Sequence, residues 1–92
     1  MRHELKTWAN AWEAVRDGRK RFEWRRDDRG FEVGDELVLR RWQPGVPEHN
    51  QGLFEHLPAL HCRVTYILRG LFNIPPGYCV MSIELIDGKA GP

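Results

Sequence analysis

Trp8, Ala11, Trp12 and Val15 recur at the i, i+3, i+4, i+7 spacing of one helical face, with Asn10, Glu13 and Arg16 on the other. This spacing predicts a helix capped at its start by Thr7, ended by Asp17-Gly18, and anchored to the rest of the fold by two tryptophans. A base-stacking use of either indole competes with this core reading, which a helical apolar stripe favours. Elsewhere the pattern has period two. His3 to Lys6 is a short strand candidate, and Gly18 to Arg25 alternates Lys, Glu and Arg with Phe22 and Trp24. On that strand Arg21, Glu23 and Arg25 share one side and Lys20, Phe22 and Trp24 the other, so Glu23 is expected between two arginines.

Three more strands follow. In Glu36 to Trp42, Leu37 and Leu39 face away from Val38 and Arg40. Strict alternation in Leu60 to Leu68 sets Cys62, Val64, Tyr66 and Leu68 against His61, Arg63, Thr65 and Ile67. In Tyr78 to Ile86, Cys79, Met81, Ile83 and Leu85 oppose Val80, Ser82 and Glu84. Arg26-Asp27-Asp28-Arg29-Gly30, Val33-Gly34-Asp35 and Asn73-Ile74-Pro75-Pro76-Gly77 are connections, with glycines where tight turns need positive φ. Between Gln43 and Ala59 five Pro and Gly residues interrupt any regular element. That length predicts either a helical turn at Leu53 to Leu57 or a binding lid. Residues 87–92 read as a frayed tail. The pattern therefore predicts one α+β, mainly β domain over residues 1–92, with about five strands and one packed N-terminal helix.

Size and charge narrow the function classes. A chain of 92 residues buries about 60 to 65% of the surface its unfolded form exposes, which leaves little room for a deep pocket. A formal net charge of +1 argues against nucleic-acid binding by bulk electrostatics alone. The cations are nevertheless unusual in kind and place, with eleven Arg against three Lys, and Arg16, Arg19, Lys20, Arg21, Arg25, Arg26 and Arg29 close together. Arg presents a planar fork to phosphate and stacks on bases. The competing reading is a solvated face matched by Asp17, Glu23, Asp27 and Asp28. No apolar run suggests a membrane span and no signal peptide is visible, so a cytoplasmic protein is expected.

Gly18-x-Lys20-x-x-Glu23-x-Arg25 resembles the signature of ASCH domains, small β-barrels of the PUA-like superfamily associated with RNA. His3-Glu4-Leu5-Lys6, Phe31-Glu32-Val33-Gly34-Asp35, Val64-Thr65-Tyr66-Ile67-Leu68-Arg69-Gly70 and Gly77-Tyr78-Cys79-Val80-Met81-Ser82-Ile83 widen the resemblance to a bacterial and phage subfamily of uncharacterised ASCH-like proteins. It implies a PUA-like barrel with a ligand cleft between the motif strand and the first helix. The ligand implied is RNA or a modified nucleotide. Lys20 and an Arg (Arg21 or Arg25) would meet phosphate, Glu23 a base N–H, and Trp24 or Tyr66 a base face.

Some ASCH-like proteins are amidohydrolases that remove an acetyl group from a modified cytidine, using a Lys of this motif, a Thr three residues later and a distant Glu. Lys20 matches the first, but Glu23 stands at the Thr position, so binding is favoured over turnover. A carboxylate flanked by Arg21 and Arg25 is expected to stay ionised, a poor acid at neutral pH. Two other readings stand beside this one: an internal ion-pair network that fixes strand register, and a protein-interaction module. Cys62 and Cys79 are expected as buried free thiols in a reducing compartment. His56, His61, Cys62 and Cys79 lack the spacing of a zinc site, and neighbours His61 and Cys62 point to opposite faces, so no metal is expected. No P-loop, dinucleotide fingerprint or nucleophile elbow calls for a cofactor.

Overall fold

The computed structural model describes residues 1–43 and 58–86. The lid or helical turn expected within the Gln43 to Ala59 connection, His56 and the tail fall largely or wholly outside those residues. Six elements follow in chain order: β1 (Arg2–Trp8), α1 (Ala9–Arg16), β2 (Phe22–Arg26), β3 (Glu36–Trp42), β4 (Leu60–Leu68) and β5 (Tyr78–Leu85). The strands form one sheet in the order β1-β3-β4-β5-β2, with β1 parallel to β3 and the other neighbours antiparallel. The fold is thus mainly β with one short helix, as the periodicity predicts.

The sheet is curled into a half-barrel and does not close by a strand ladder. Laid flat, five strands would hold β1 and β2 roughly 19 Å apart, from about 4.8 Å per neighbour. Instead Arg25 of β2 hydrogen-bonds the Lys6 carbonyl of β1 at 2.9 Å and the Thr7 hydroxyl at 3.2 Å. Arg29, just beyond β2, donates to the Glu4 carbonyl at 2.9 Å. Two arginine side chains therefore span the seam that backbone hydrogen bonds leave open.

The core fills the concave side. Leu5, Trp12, Val15, Phe31, Leu37, Leu39, Leu60, Cys62, Val64, Cys79, Met81 and Ile83 form one buried cluster, with Ile67 packed against it. Val38, on the other face of β3 and opposite His61 of β4, is also fully buried, so β3 is covered on both faces there rather than on one.

Two expectations about the first helix need correction. The strand β1 runs two residues further than predicted, which places Thr7 inside it, buried, and Trp8 at its outward-facing end, 59% exposed. Thr7 does not cap the helix: α1 starts at Ala9 with no side-chain cap hydrogen bond. Strand alternation overrides helical periodicity at this junction, because Thr7 follows His3 and Leu5 on the buried side. Trp12 behaves as expected. Its indole is 2% exposed and donates to the Leu39 carbonyl at 3.0 Å, tying α1 to β3.

The helix ends where predicted. Gly18 takes φ of +82°, a conformation that costs an L side chain about 1 kcal/mol or more. The amides of Arg19 and Lys20 both turn back to the Ala14 carbonyl, at 2.9 and 3.0 Å. That reversal delivers Lys20 to the mouth of the seam. At the other end Asp35 accepts the Met1 ammonium at 2.9 Å, His3 Nε2 at 2.8 Å and the Glu32 amide at 3.0 Å. Burial pushes the Asp35 carboxyl up, but these three hydrogen bonds outweigh it and hold the group at about 2.

Two predictions follow from this packing. Trp12→Ala should cost about 3 to 5 kcal/mol, whereas Trp8→Ala should change stability by no more than about 0.5 kcal/mol, measured by urea denaturation. Equal losses would overturn the placement of Trp8. Because the folded-state pKa of Asp35 lies below its ordinary 3.8, its contribution is complete above about pH 4 and is lost as pH falls toward 2. The stability gap between wild type and Asp35→Asn should therefore be constant from pH 5 to 7 and shrink between pH 4 and 2. A gap independent of pH would remove Asp35 from this role.

Candidate functional site

The central residue is Glu23, which is 3% exposed on the inward face of β2. Sequence alternation puts it on one side with Arg25 and opposite Phe22 and Trp24, and the structure makes that side the inner one, since Glu23 and Arg25 lie opposite the core residues Met81 and Cys79 of β5. Its partners differ from those expected. Glu23 lies between Lys20 and Arg25: Lys20 Nζ donates to Oε1 at 2.6 Å and Arg25 Nε to Oε2 at 2.8 Å. Arg21 instead donates to the Gly18 carbonyl at 3.2 Å. The physical reason is that Lys20 and Arg21 precede the first strand residue, Phe22, so the alternation does not reach them. The glycine cap then folds Lys20 back over Phe22, with Nζ 4.7 Å from the ring centre and 2.6 Å from the Phe22 carbonyl.

These groups sit on the wall of a cleft of about 390 Å³ between the β1–α1 junction and β2, lined by Lys6, Thr7, Trp8, Asn10, Lys20 and Glu23 and continued by Phe22, Trp24 and Arg25. Donor and acceptor counting shows what is left for a ligand. Glu23 offers about four lone-pair positions and spends two on its cations. Lys20 spends two of three donors. Arg25 uses Nε and one Nη, and its second Nη has no acceptor among the described residues. The cleft wall therefore carries a buried carboxylate beside two cations, with aromatic rings among its lining residues.

The expected site residues do not all meet here. Lys20, Glu23, Arg25 and Trp24 line the cleft, and Arg21 lines a neighbouring depression of about 340 Å³ with Lys20, Val15, Cys62, Thr65 and Glu84. Tyr66 lies elsewhere. The β4–β5 register slips between Val64 and Tyr66, so that Val64 pairs with Ile83 but Tyr66 with Ser82. This bulge consumes Thr65, turns Tyr66 and Leu68 outward and brings Ile67 in, reversing the expected faces beyond Val64. Thr7, Lys6 and Asn10 were missed as site residues. The only sequence signal for Thr7 was the His3, Leu5, Thr7 alternation, which the helical stripe obscures.

Nucleophiles are scarce in this arrangement. Burial pushes the Cys62 thiol up to about 12, with the Glu23 charge adding to the effect and Lys20 opposing it. Burial, then the Asp27 carboxylate, raise Cys79 as well. Both thiols are protonated at neutral pH and unreactive. His61 bonds Glu36 at 2.6 Å, while Cys62, its neighbour, lies in the core. Among the described residues no three His, Cys, Asp or Glu side chains group as a metal would require, and no helix is long and apolar enough to cross a membrane.

Fold and cleft together define a small mainly β protein whose half-barrel is bridged at its seam by Arg25 and Arg29, beside a buried Glu23 held by Lys20 and Arg25. Residues 2–83 match the family described as "Domain of unknown function (DUF3850)", and the chain belongs to that family. It is also similar to the "Uncharacterized 12.9 kDa protein in GpA 3'region" of Escherichia phage P2, at 46% identity over 44 residues. That match covers 48% of this chain and 40% of the phage protein.

Removing one partner of a buried ion pair costs about 3 to 5 kcal/mol, so Arg25→Ala should destabilise by about 3 kcal/mol and also speed amide exchange of β1 around Lys6. A loss below about 1 kcal/mol, with exchange unchanged, would mean that Arg25 does not hold the seam.

Proposed function

We propose that the cleft binds RNA or a modified nucleotide, holding one base edge at Glu23 and the adjoining phosphate at Lys20 and Arg25. The observation that carries this reading is the Glu23 carboxylate, buried at the wall of an open cleft and held by two cations that keep unspent donors. A structural ion pair needs no such opening. The motif resemblance to ASCH domains supports the same reading, as does the five-stranded curl with one helix, which fits a PUA-like barrel left open at one seam. Binding is favoured over hydrolysis because Glu23 stands where the related amidohydrolases carry Thr. In addition, the hydroxyl nearest to hand, on Thr7, accepts a hydrogen bond from Arg25.

A carboxylate accepts best from two parallel N–H groups, and guanine presents such a pair at N1 and N2 among the standard bases. About three phosphate contacts on single-stranded RNA, at roughly 0.7 each, give a log-affinity against log-salt slope near −2. Titration with the four nucleoside monophosphates, followed by amide chemical shifts, should move residues 20–25 and favour the guanine nucleotide. Glu23→Gln should weaken that preference and leave the salt slope nearly unchanged, and acetylcytidine should not be deacetylated. No shift in residues 20–25 at millimolar nucleotide would make the cluster purely structural.

A further inference from the structure

The convex face of the sheet carries large apolar side chains that the core does not use. Phe22 and Trp24 of β2 are 48% and 51% exposed, and Tyr66 of β4 is 59% exposed. The register aligns them in two rows across three strands, Phe22–Ser82–Tyr66 and Trp24–Val80–Leu68. Phe22 and Trp24, two residues apart on one strand, stand about 6.7 Å from one another, and Tyr66 lies two strands away, about 10 Å across. Such spacing gives each ring room to take a separate base. The bulge at Thr65 is what puts Tyr66 on this face, since unbroken alternation would turn it into the core.

Charge and position indicate what covers the face. Lys20 sits over Phe22, and the Arg26 guanidinium lies 5.9 Å from the Tyr78 ring at the far end of β2. Cations thus flank the aromatic rows at both ends. The carboxylates on this side all stand beside cations or a histidine: Glu84 opposite Arg63, Glu36 on His61, Glu4 on Arg40, and Asp28 close to Arg26. Phe22 and Trp24 also line the cleft, so the face continues the site without a break. Ser82, exposed between Phe22 and Tyr66, offers a hydroxyl where a sugar would lie.

We propose that this face is a stacking platform for the single-stranded RNA that flanks the nucleotide held in the cleft. Successive bases lie on Phe22, Trp24 and Tyr66, and Arg26 meets a phosphate at the far end of β2. Stacking is tolerant of sequence because every base has a π-face, so the platform supplies affinity while the cleft supplies choice. The Ser82 hydroxyl pairs with a ribose 2′-OH and biases the face toward RNA over DNA. The proposal rests on the cleft reading above, and its test separates the two.

The probes are guanosine monophosphate, an eight-nucleotide uridine strand carrying one guanosine, and its deoxyribose counterpart, with binding read by amide shifts and by anisotropy of the labelled strands. The octamer should bind at least tenfold more tightly than the monophosphate. Tyr66→Ala should weaken the octamer about tenfold, from the range measured for base–aromatic stacking, with monophosphate binding unchanged and circular dichroism intact. Monophosphate binding without a length gain, or an octamer indifferent to Tyr66→Ala, would overturn the platform and spare the cleft. Octamer binding that depends on Tyr66 but no monophosphate response would retain the platform and overturn the cleft. Equal affinity for the deoxyribose strand would overturn the assignment to RNA. A dimer in sedimentation that Trp24→Ala dissociates would assign the face to a second copy of the chain and overturn the proposal.

Discussion

A buried carboxylate in a domain of this size is tolerated only with charged partners on both oxygens, and Glu23 has them in Lys20 and Arg25. The rest of the architecture around the seam depends on that constraint. Arg25 reaches Glu23 with Nε and β1 with a terminal nitrogen, so the same guanidinium neutralises the core-facing charge and bridges the two edge strands. Lys20 reaches Glu23 because the left-handed Gly18 reverses the chain after α1. A different residue at either cation would leave Glu23 half-paired, and one at Arg25 would also leave the seam half-bridged.

This arrangement also answers the edge-strand problem in an unusual way. Open sheet edges expose backbone groups that invite pairing with other chains. Here the carbonyls of Glu4, Lys6 and Phe22 at the two edges accept from Arg29, Arg25 and Lys20. Side-chain cations stand in for a strand ladder. Arg25 and Arg29 bridge the edges while Lys20 caps a carbonyl of its own edge, and the strands stay far enough apart for a cleft, where a ladder would have zipped the barrel shut. At the opposite end Asp35 and its three donors do comparable work where β3 begins, and Arg69 ties the Asp27 turn to the Phe31 carbonyl.

The bulge at Thr65 makes a second division of labour. Upstream of it Cys62 and Val64 continue the core, and downstream Tyr66 and Leu68 join Phe22 and Trp24 on the outer surface. One extra residue thus converts a strand of uniform alternation into one that serves two surfaces. The cleft and the outer face meet along β2, the short strand on which charged and aromatic residues alternate.

What the sequence determined by itself is local: the period-two segments, the single helix, its glycine stop, and the sharing of one strand face by Glu23 and Arg25, opposite Phe22 and Trp24. These follow from alternation and φ preferences that act within a few residues. Tertiary structure decided the rest. Trp8 left the core because β1, paired along its whole length with β3, claimed Thr7 and Trp8 before the helix could begin. Tyr66 changed faces through a bulge that no residue pattern in Leu60 to Leu68 announces, since a bulge reflects the fit between two strands. Lys20 replaced Arg21 beside Glu23 because the reversal after α1 sets direction in three dimensions. The seam itself, and with it the cleft, arises from how far five strands curl, a property of the packed sheet as a whole.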